Sequence, residues 1–291
     1  MTSLQDKLVK TFLKLYKKSD PKNEKCAYKV LERLRRSNSE YNIPSIFKKD
    51  YNEEYFMGMK YYYKQGAVNK LIIYLHGGSF VFEPLIFHWW FLAKLYKNTK
   101  VNLVVPIYLK APNFTAKQSI DMLYDFYKAV AQNFNGEIII MGDSAGATLA
   151  FGLSMLIRDE YQGANASKII LISPCCDLSF ENPAIDRVQK DDFMLCKDVL
   201  RVYTREWMAN NFNSPYINPI LGSFEDLPEV SLFIGTRDIL YPDCQKTISL
   251  AEKQGVKINN YVYRDLTHCF PLYPTPEARH ARNIVYDIIN S

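Results

Sequence analysis

Five short apolar runs, at 71–75, 101–105, 138–141, 169–172 and 230–234, are spaced by stretches long enough for helices. No other feature of the chain constrains its fold as much. A strand with one face in water alternates polar with apolar residues; these runs do not alternate, which suits strands covered on both faces. The segments 85–97, 115–134, 145–160 and 241–254 between them are of helical length. A Tyr/Phe/Met-rich stretch at 55–64 reads as a further strand followed by a turn at 65–69, while 258–264 fits a last strand and 277–290 a closing helix. Short buried strands alternating with helices define an α/β protein, with a mainly parallel central sheet flanked by helices.

The rhythm fails once. Between Pro174 and about Pro228 no buried strand occurs, and Trp, Tyr, Met and Asn residues stand among helical patches. An insertion of that length between two sheet strands usually carries function or covers a site. Residues 1–40 read as two helices broken near Ser19-Asp20-Pro21, because proline stops or starts a helix. Together the two segments could form a lid. At 291 residues the chain is long for one core, yet α/β folds of this size often form one domain with an insertion.

Basic residues exceed acidic ones, 36 to 31, and part of the excess lies at Lys7, Lys10, Lys14, Lys17, Lys18, Lys22, Lys25, Lys29, Arg33, Arg35 and Arg36. Such a run could touch anionic lipid or nucleic acid. Leu4, Leu8, Phe12 and Leu15 recur at helical spacing between those charges, so the expected role is the solvated face of amphipathic helices. Neither a nucleic-acid partner nor stable membrane insertion is expected. No run reaches the roughly 18 consecutive apolar residues of a membrane span, and no signal peptide is visible at the N-terminus. The six cysteines (Cys26, Cys175, Cys176, Cys196, Cys244 and Cys269) form no C-x2-C pair, and reduced thiols in a cytoplasmic protein are the economical reading.

Gly142-Asp143-Ser144-Ala145-Gly146 carries the sharpest chemical signal, since it follows the strand at 138–141 and opens the helix at 145–160. Strand, tight turn and helix are what a nucleophile elbow requires: small residues two positions either side let the turn close and lift the serine hydroxyl above the sheet edge. The hydroxyl needs a base, and the chain has four histidines. His280 sits among charged residues in the last helix, His88 precedes Trp89-Trp90 and reads as packed or partly exposed, and His76 belongs to a glycine turn. His268, in a loop between the last strand and the final helix, has the position expected in the order Ser, acid, His. Asp238 follows the strand at 230–234 and stands at its C-terminal end, where ligands gather in open α/β sheets. Asp243 and Asp265 compete less well, the first as a helix first-turn charge, the second as too close in sequence to His268. His76-Gly77-Gly78-Ser79 follows the strand at 71–75, and its amides at Gly77, Gly78 and Ser79, with that of Ala145, are candidate donors to an oxyanion.

Together these residues resemble the hormone-sensitive-lipase-like (family IV) carboxylesterases of the α/β-hydrolase superfamily, over most of the chain from about Leu71 to Tyr273. The family's H-G-G-G is matched by His76-Gly77-Gly78-Ser79 and its G-D-S-A-G by Gly142 to Gly146. Tyr108-Leu109-Lys110-Ala111-Pro112-Asn113 is similar to its Y-R-L-A-P-E, and Ser173-Pro174 with Asp177-Leu178-Ser179 to the stretch leading into its cap. The resemblance implies an α/β-hydrolase fold in a single domain over 1–291, with a helical cap from about 1–40 and 178–226. It implies hydrolysis of short- or medium-chain acyl esters through an acyl-enzyme on Ser144, with Asp238 and His268 as acid and base and no cofactor or metal. Two residues depart from the pattern: Ser79 replaces a glycine, and Asn113 an acidic residue. A triad does not distinguish water from other acyl acceptors, so amidase, peptidase and acyltransferase chemistry stay open, as does a binding protein that kept the fold without the chemistry. Phe80, Phe82, Trp89, Trp90, Trp207 and Phe212 are candidates for an acyl pocket, although core packing is the commoner role of such residues. An exposed sheet edge leaves homodimer formation open.

Overall fold

The apolar runs come together as neighbours in one eight-stranded sheet. The computed structural model describes residues 3–16, 20–37, 39–163 and 165–291. The chain opens with helices α1 (Leu4–Tyr16), α2 (Glu24–Arg35) and the short α3 (Ser45–Lys48), then strands β1 (Asn52–Phe56), β2 (Met59–Lys64) and β3 (Lys70–Leu75). There follow α4 (Ile86–Thr99), β4 (Asn102–Pro106), α5 (Ala116–Asn133), β5 (Glu137–Asp143), α6 (Ala145–Glu160) and β6 (Lys168–Ile172). After the insertion, which holds α7 (Ala184–Val188) and α8 (Lys197–Met208), come β7 (Glu229–Gly235), α9 (Tyr241–Lys253), β8 (Ile258–Tyr263) and α10 (Pro276–Asn290).

Strand order is β1-β2-β4-β3-β5-β6-β7-β8. From β4 to β8 every pairing is parallel, whereas β1, β2 and β4 pair antiparallel at one edge. The stretch 55–64, expected to be a single strand, is instead most of a hairpin. Met57 and Gly58 both take positive φ, 47° and 85°, and reverse the chain so that Phe56 faces Met59. A two-residue turn with both centres left-handed matches strand twist, which is why the chain folds back there.

Alternate residues of each central strand serve different cores. Ile73, Ile140, Leu171 and Leu232 enter the layer containing α5, α6 and α9 side chains. Their neighbours Ile72, Tyr74, Ile139, Met141, Ile170 and Phe233 enter the layer with Trp89, Phe91 and Leu95 of α4 and Ala281, Val285 and Ile289 of α10. That two-sided burial is the physical reason the strands read as unbroken apolar runs. It also leaves the C-terminal strand ends as the place where loops converge.

α2 lies against α8, so the N-terminal segment and the insertion meet above one end of the sheet. α2 begins behind Asn23, whose side chain accepts the Cys26 N–H at 3.0 Å, an N-cap worth about 1 kcal/mol. The break expected at Ser19-Asp20-Pro21 includes Ser19, which lies outside the described residues, as do Lys17 and Lys18 and the side chain of Phe12. α1 is fixed from its inner face. Leu13 is buried, Asp6 pairs with Lys10 at 2.6 Å, and Lys10 Nζ also donates to the Asp265 carbonyl at 2.8 Å. Leu4, Leu8 and Leu15 instead point outward, 73%, 62% and 68% exposed. α1 is therefore apolar on two sides, and its leucine stripe lies opposite the face that docks on the protein.

Candidate active site

The elbow forms because glycines are the only residues that its packing admits. A Cβ on Gly146 would sit 2.0 Å from the Leu75 carbonyl oxygen, and one on Gly142 2.4 Å from the Gly146 carbonyl oxygen. Between them Ser144 takes φ 51° and ψ −125°, a strained conformation held by its N–H, which donates to the Ile172 carbonyl at 2.8 Å. The consequence is a hydroxyl standing at the end of β5, at the N-terminus of α6.

His268 and Asp238 arrive from the ends of β8 and β7. His268 Nδ1 donates to Asp238 Oδ2 at 2.7 Å, which leaves Nε2 as an acceptor, 2.9 Å from Ser144 Oγ. The loop carrying His268 is anchored on both sides: Arg237 N–H donates to the Leu266 carbonyl and Cys269 N–H to Ser173 Oγ, each at 3.0 Å. Asp238 is wholly buried, and its other oxygen accepts the Leu240 N–H at 3.0 Å. Burial pushes the His268 imidazole down, but the charge and hydrogen bond of Asp238 outweigh it and hold the imidazole above its ordinary value. The competing acids are engaged elsewhere: Asp243 accepts from Asn182 at 2.7 Å, and Asp265 pairs with Arg237 at 3.1 Å. His280 is exposed, on Tyr263 Oη at 2.7 Å.

The glycine turn divides differently from the sequence expectation. Gly77 was among the four candidate oxyanion donors, but its N–H is spent on Asp143 Oδ1 at 3.0 Å. The amides of Gly78 and Ser79 make no hydrogen bond among the described residues, and Ala145, at the first position of α6, has no intrahelical acceptor. These three remain as candidate donors beside Ser144. Gly78 has φ 137° and Ser79 φ 54°, so a serine occupies a left-handed position that glycine would hold without strain.

Asp143, the residue before the nucleophile, is the centre of a second buried network that sequence reasoning missed. Besides Gly77 N–H it accepts from Tyr74 Oη at 2.6 Å and from His88 Nε2 at 3.2 Å. Burial disfavours its charge, yet His88 and these donors win and bring its pKa down to about 2. His88 Nδ1 in turn accepts the Leu85 N–H at 2.9 Å, which ties the start of α4 to the elbow and the glycine turn. From sequence His88 reads as packed or partly exposed, because nothing local links it to a residue 55 positions away. His88→Phe keeps a planar ring in place and deletes both contacts. It is expected to cost about 1.5–3 kcal/mol of stability, the value of a buried hydrogen bond to a charge, and to lower kcat more than it raises KM; denaturant melts and steady-state kinetics check both. His76, wholly buried, stacks on Tyr108 with centroids 4.5 Å apart, and burial drives its pKa well down, so it packs as a neutral ring.

Asp192, from the insertion, was also missed. Its Oδ2 accepts the Ile239 N–H at 2.9 Å and its Oδ1 those of Met194 and Leu195 at 2.7 and 3.0 Å, clamping the insertion to the loop that bears Asp238. Burial first, and then the charge of Asp238, raise its pKa to about 6.

Above Ser144 opens a cavity of about 980 Å³, walled by Phe82, Phe87, Phe193, Leu200, Tyr203 and Leu272 among others. Of the aromatic residues expected to line an acyl pocket, Phe82 alone borders this cavity. Phe80 and Trp207 stack on each other at 3.9 Å, and Trp89 is fully buried, so these rings build core. Trp90 lies beneath Arg282 at 4.9 Å, and Phe212 is exposed.

A family model described as the alpha/beta hydrolase fold matches residues 72–272. An esterase of Acinetobacter venetianus is 28% identical over 223 residues, 75% of this chain and 73% of that protein. A candidate acetyl-hydrolase of Mycobacterium tuberculosis is 25% identical over 219 residues, 74% of this chain and 71% of its own length. Among solved structures, a candidate esterase from Staphylococcus aureus superposes with a TM-score of 0.86 at 26% identity, covering 94% of this chain and 95% of that one.

Proposed function

The chain belongs to the α/β-hydrolase fold family, and on that premise we propose that it is a serine carboxylesterase acting on short- or medium-chain acyl esters through an acyl-enzyme on Ser144. One observation carries this reading: His268 Nε2 lies 2.9 Å from Ser144 Oγ while its other nitrogen is held by Asp238. In the first step the Ser144 proton passes to Nε2 as Oγ attacks the ester carbonyl carbon. The electron pair of the carbonyl moves to oxygen, and the amides of Gly78, Ser79 and Ala145 receive the charge. As that pair returns, the bond to the alcohol breaks and His268 hands its proton to the departing oxygen. A water then repeats the sequence against the acyl-enzyme, and the acid leaves. The helices α1, α2, α7 and α8 serve as the cap, and the apolar cavity wall suits an acyl chain.

A protein that kept this fold only to bind a ligand has no need of an aligned base, and His268 is aligned. The test is labelling with a fluorophosphonate together with turnover of a graded series of p-nitrophenyl acyl esters. One covalent adduct, on Ser144, and a rate that peaks at short or medium chains are expected. Absence of both adduct and turnover overturns the reading.

A further inference from the structure

The outward leucines of α1 find no partner within the described residues, and they are not scattered. At 100° per residue Leu4, Leu8, Thr11 and Leu15 fall within a stripe about 60° wide along the helix. Lys7 and Lys14 run along one border of that stripe, and the opposite side of the helix is the one that carries buried Leu13. A ridge of leucines beside lysines, on a helix whose other side is docked on the protein, is the pattern of a segment that lies in a lipid headgroup layer. Lys14 also borders the cavity above Ser144, as do Lys22, Lys29 and Arg33. The ridge and the rim of the cavity are thus joined through one helix.

From this we infer that α1 docks the protein on an anionic lipid surface, with its leucines among the acyl chains and the flanking cations on the headgroups. Charge selects this occupant over a second copy of the chain. A two-fold contact through α1 brings the same patch against itself, and within the first forty residues eleven Lys and Arg stand against five acids, Asp6, Asp20, Glu24, Glu32 and Glu40. Like charge would face like, whereas phosphate headgroups complement it. Delivery of esters from that surface into the cavity rests on the esterase reading; the docking does not.

The full chain would be sedimented with vesicles of phosphatidylcholine alone and of phosphatidylcholine mixed with phosphatidylglycerol, alongside the Leu8→Ser/Leu15→Ser variant. Binding to the mixed vesicles, lost as salt rises, is expected, with an affinity about tenfold or more lower in the variant. The variant should hydrolyse a water-soluble p-nitrophenyl ester as the parent does, since neither leucine borders the cavity. Equal binding to both vesicle types, unchanged binding by the variant, or a dimer in solution that the variant abolishes would each overturn the docking. A parent that binds vesicles but turns over no ester would instead overturn the esterase reading alone.

Discussion

Ser144→Ala is expected to lower kcat by about a million-fold, with the folded structure intact. The size of the effect follows from geometry. Ser144 Oγ is the atom that His268 Nε2 faces at 2.9 Å, and neither His268 nor the remaining amides can attack a carbonyl in its place. The elbow does not depend on that oxygen. Its turn is closed by the Ser144 N–H on the Ile172 carbonyl and by close packing of Gly142 and Gly146, and alanine adopts φ 51° with no more strain than serine. Stability should therefore change by no more than about 1 kcal/mol. Steady-state kinetics, a thermal melt and loss of the fluorophosphonate adduct check the three parts. Retention of more than about a hundredth of the rate would mean that the nucleophile lies elsewhere.

How much of this was legible in the sequence depends on how local each interaction is. The strands β3 to β7 announce themselves because both faces of each are apolar, and the helix lengths between them follow from that spacing. β1 and β2 read as one strand because the turn between them, Met57-Gly58, lacks the Asn or Asp that usually marks a left-handed pair, and because tyrosines continue on either side. The leucine stripe of α1 was legible as a stripe, but a helix with apolar residues on two sides does not declare which one docks. Leu13 and the Asp6–Lys10 pair decide it, through contacts with residues more than two hundred positions away.

The site shows the same division. Ser144, Asp238 and His268 each lie at a strand end with a recognisable local setting, so order along the chain was enough to select them. The Asp143 network was hidden because its members, Tyr74, Gly77, His88 and Asp143, come from three strand or helix ends and share no spacing. Yet its effect reaches the motif that was legible: once Asp143 takes the Gly77 amide, one of the four supposed oxyanion donors is gone. A glycine turn read alone gives the freedom of its backbone, not the direction of each N–H. Asp192 left a weak trace, a carboxylate two residues ahead of Met194 whose side chain caps the following amides, a common turn with many meanings.

Asp238→Asn should reduce kcat/KM by about 10⁴-fold while hardly moving the atoms. The reason lies in what the two carboxylate oxygens accept. One takes the Leu240 N–H at 3.0 Å and the other the His268 Nδ1–H at 2.7 Å, and a carboxylate satisfies both. Asparagine has one acceptor. If its oxygen stays with Leu240, its amide group points at Nδ1 and forces the proton of His268 onto Nε2, where it confronts Ser144 and no lone pair is left to receive the hydroxyl proton. The pH profile separates this from simple misfolding. In the proposed mechanism the neutral imidazole is the active form, so the rate should fall as pH drops through the His268 pKa, which lies above the ordinary value in the parent because Asp238 overcomes the effect of burial. With that charge removed, burial prevails over what the other acids supply, and the acidic limb of kcat/KM should move to lower pH. A limb that stays where it is, with KM alone changed, would mean that Asp238 shapes the loop and does not act through the imidazole.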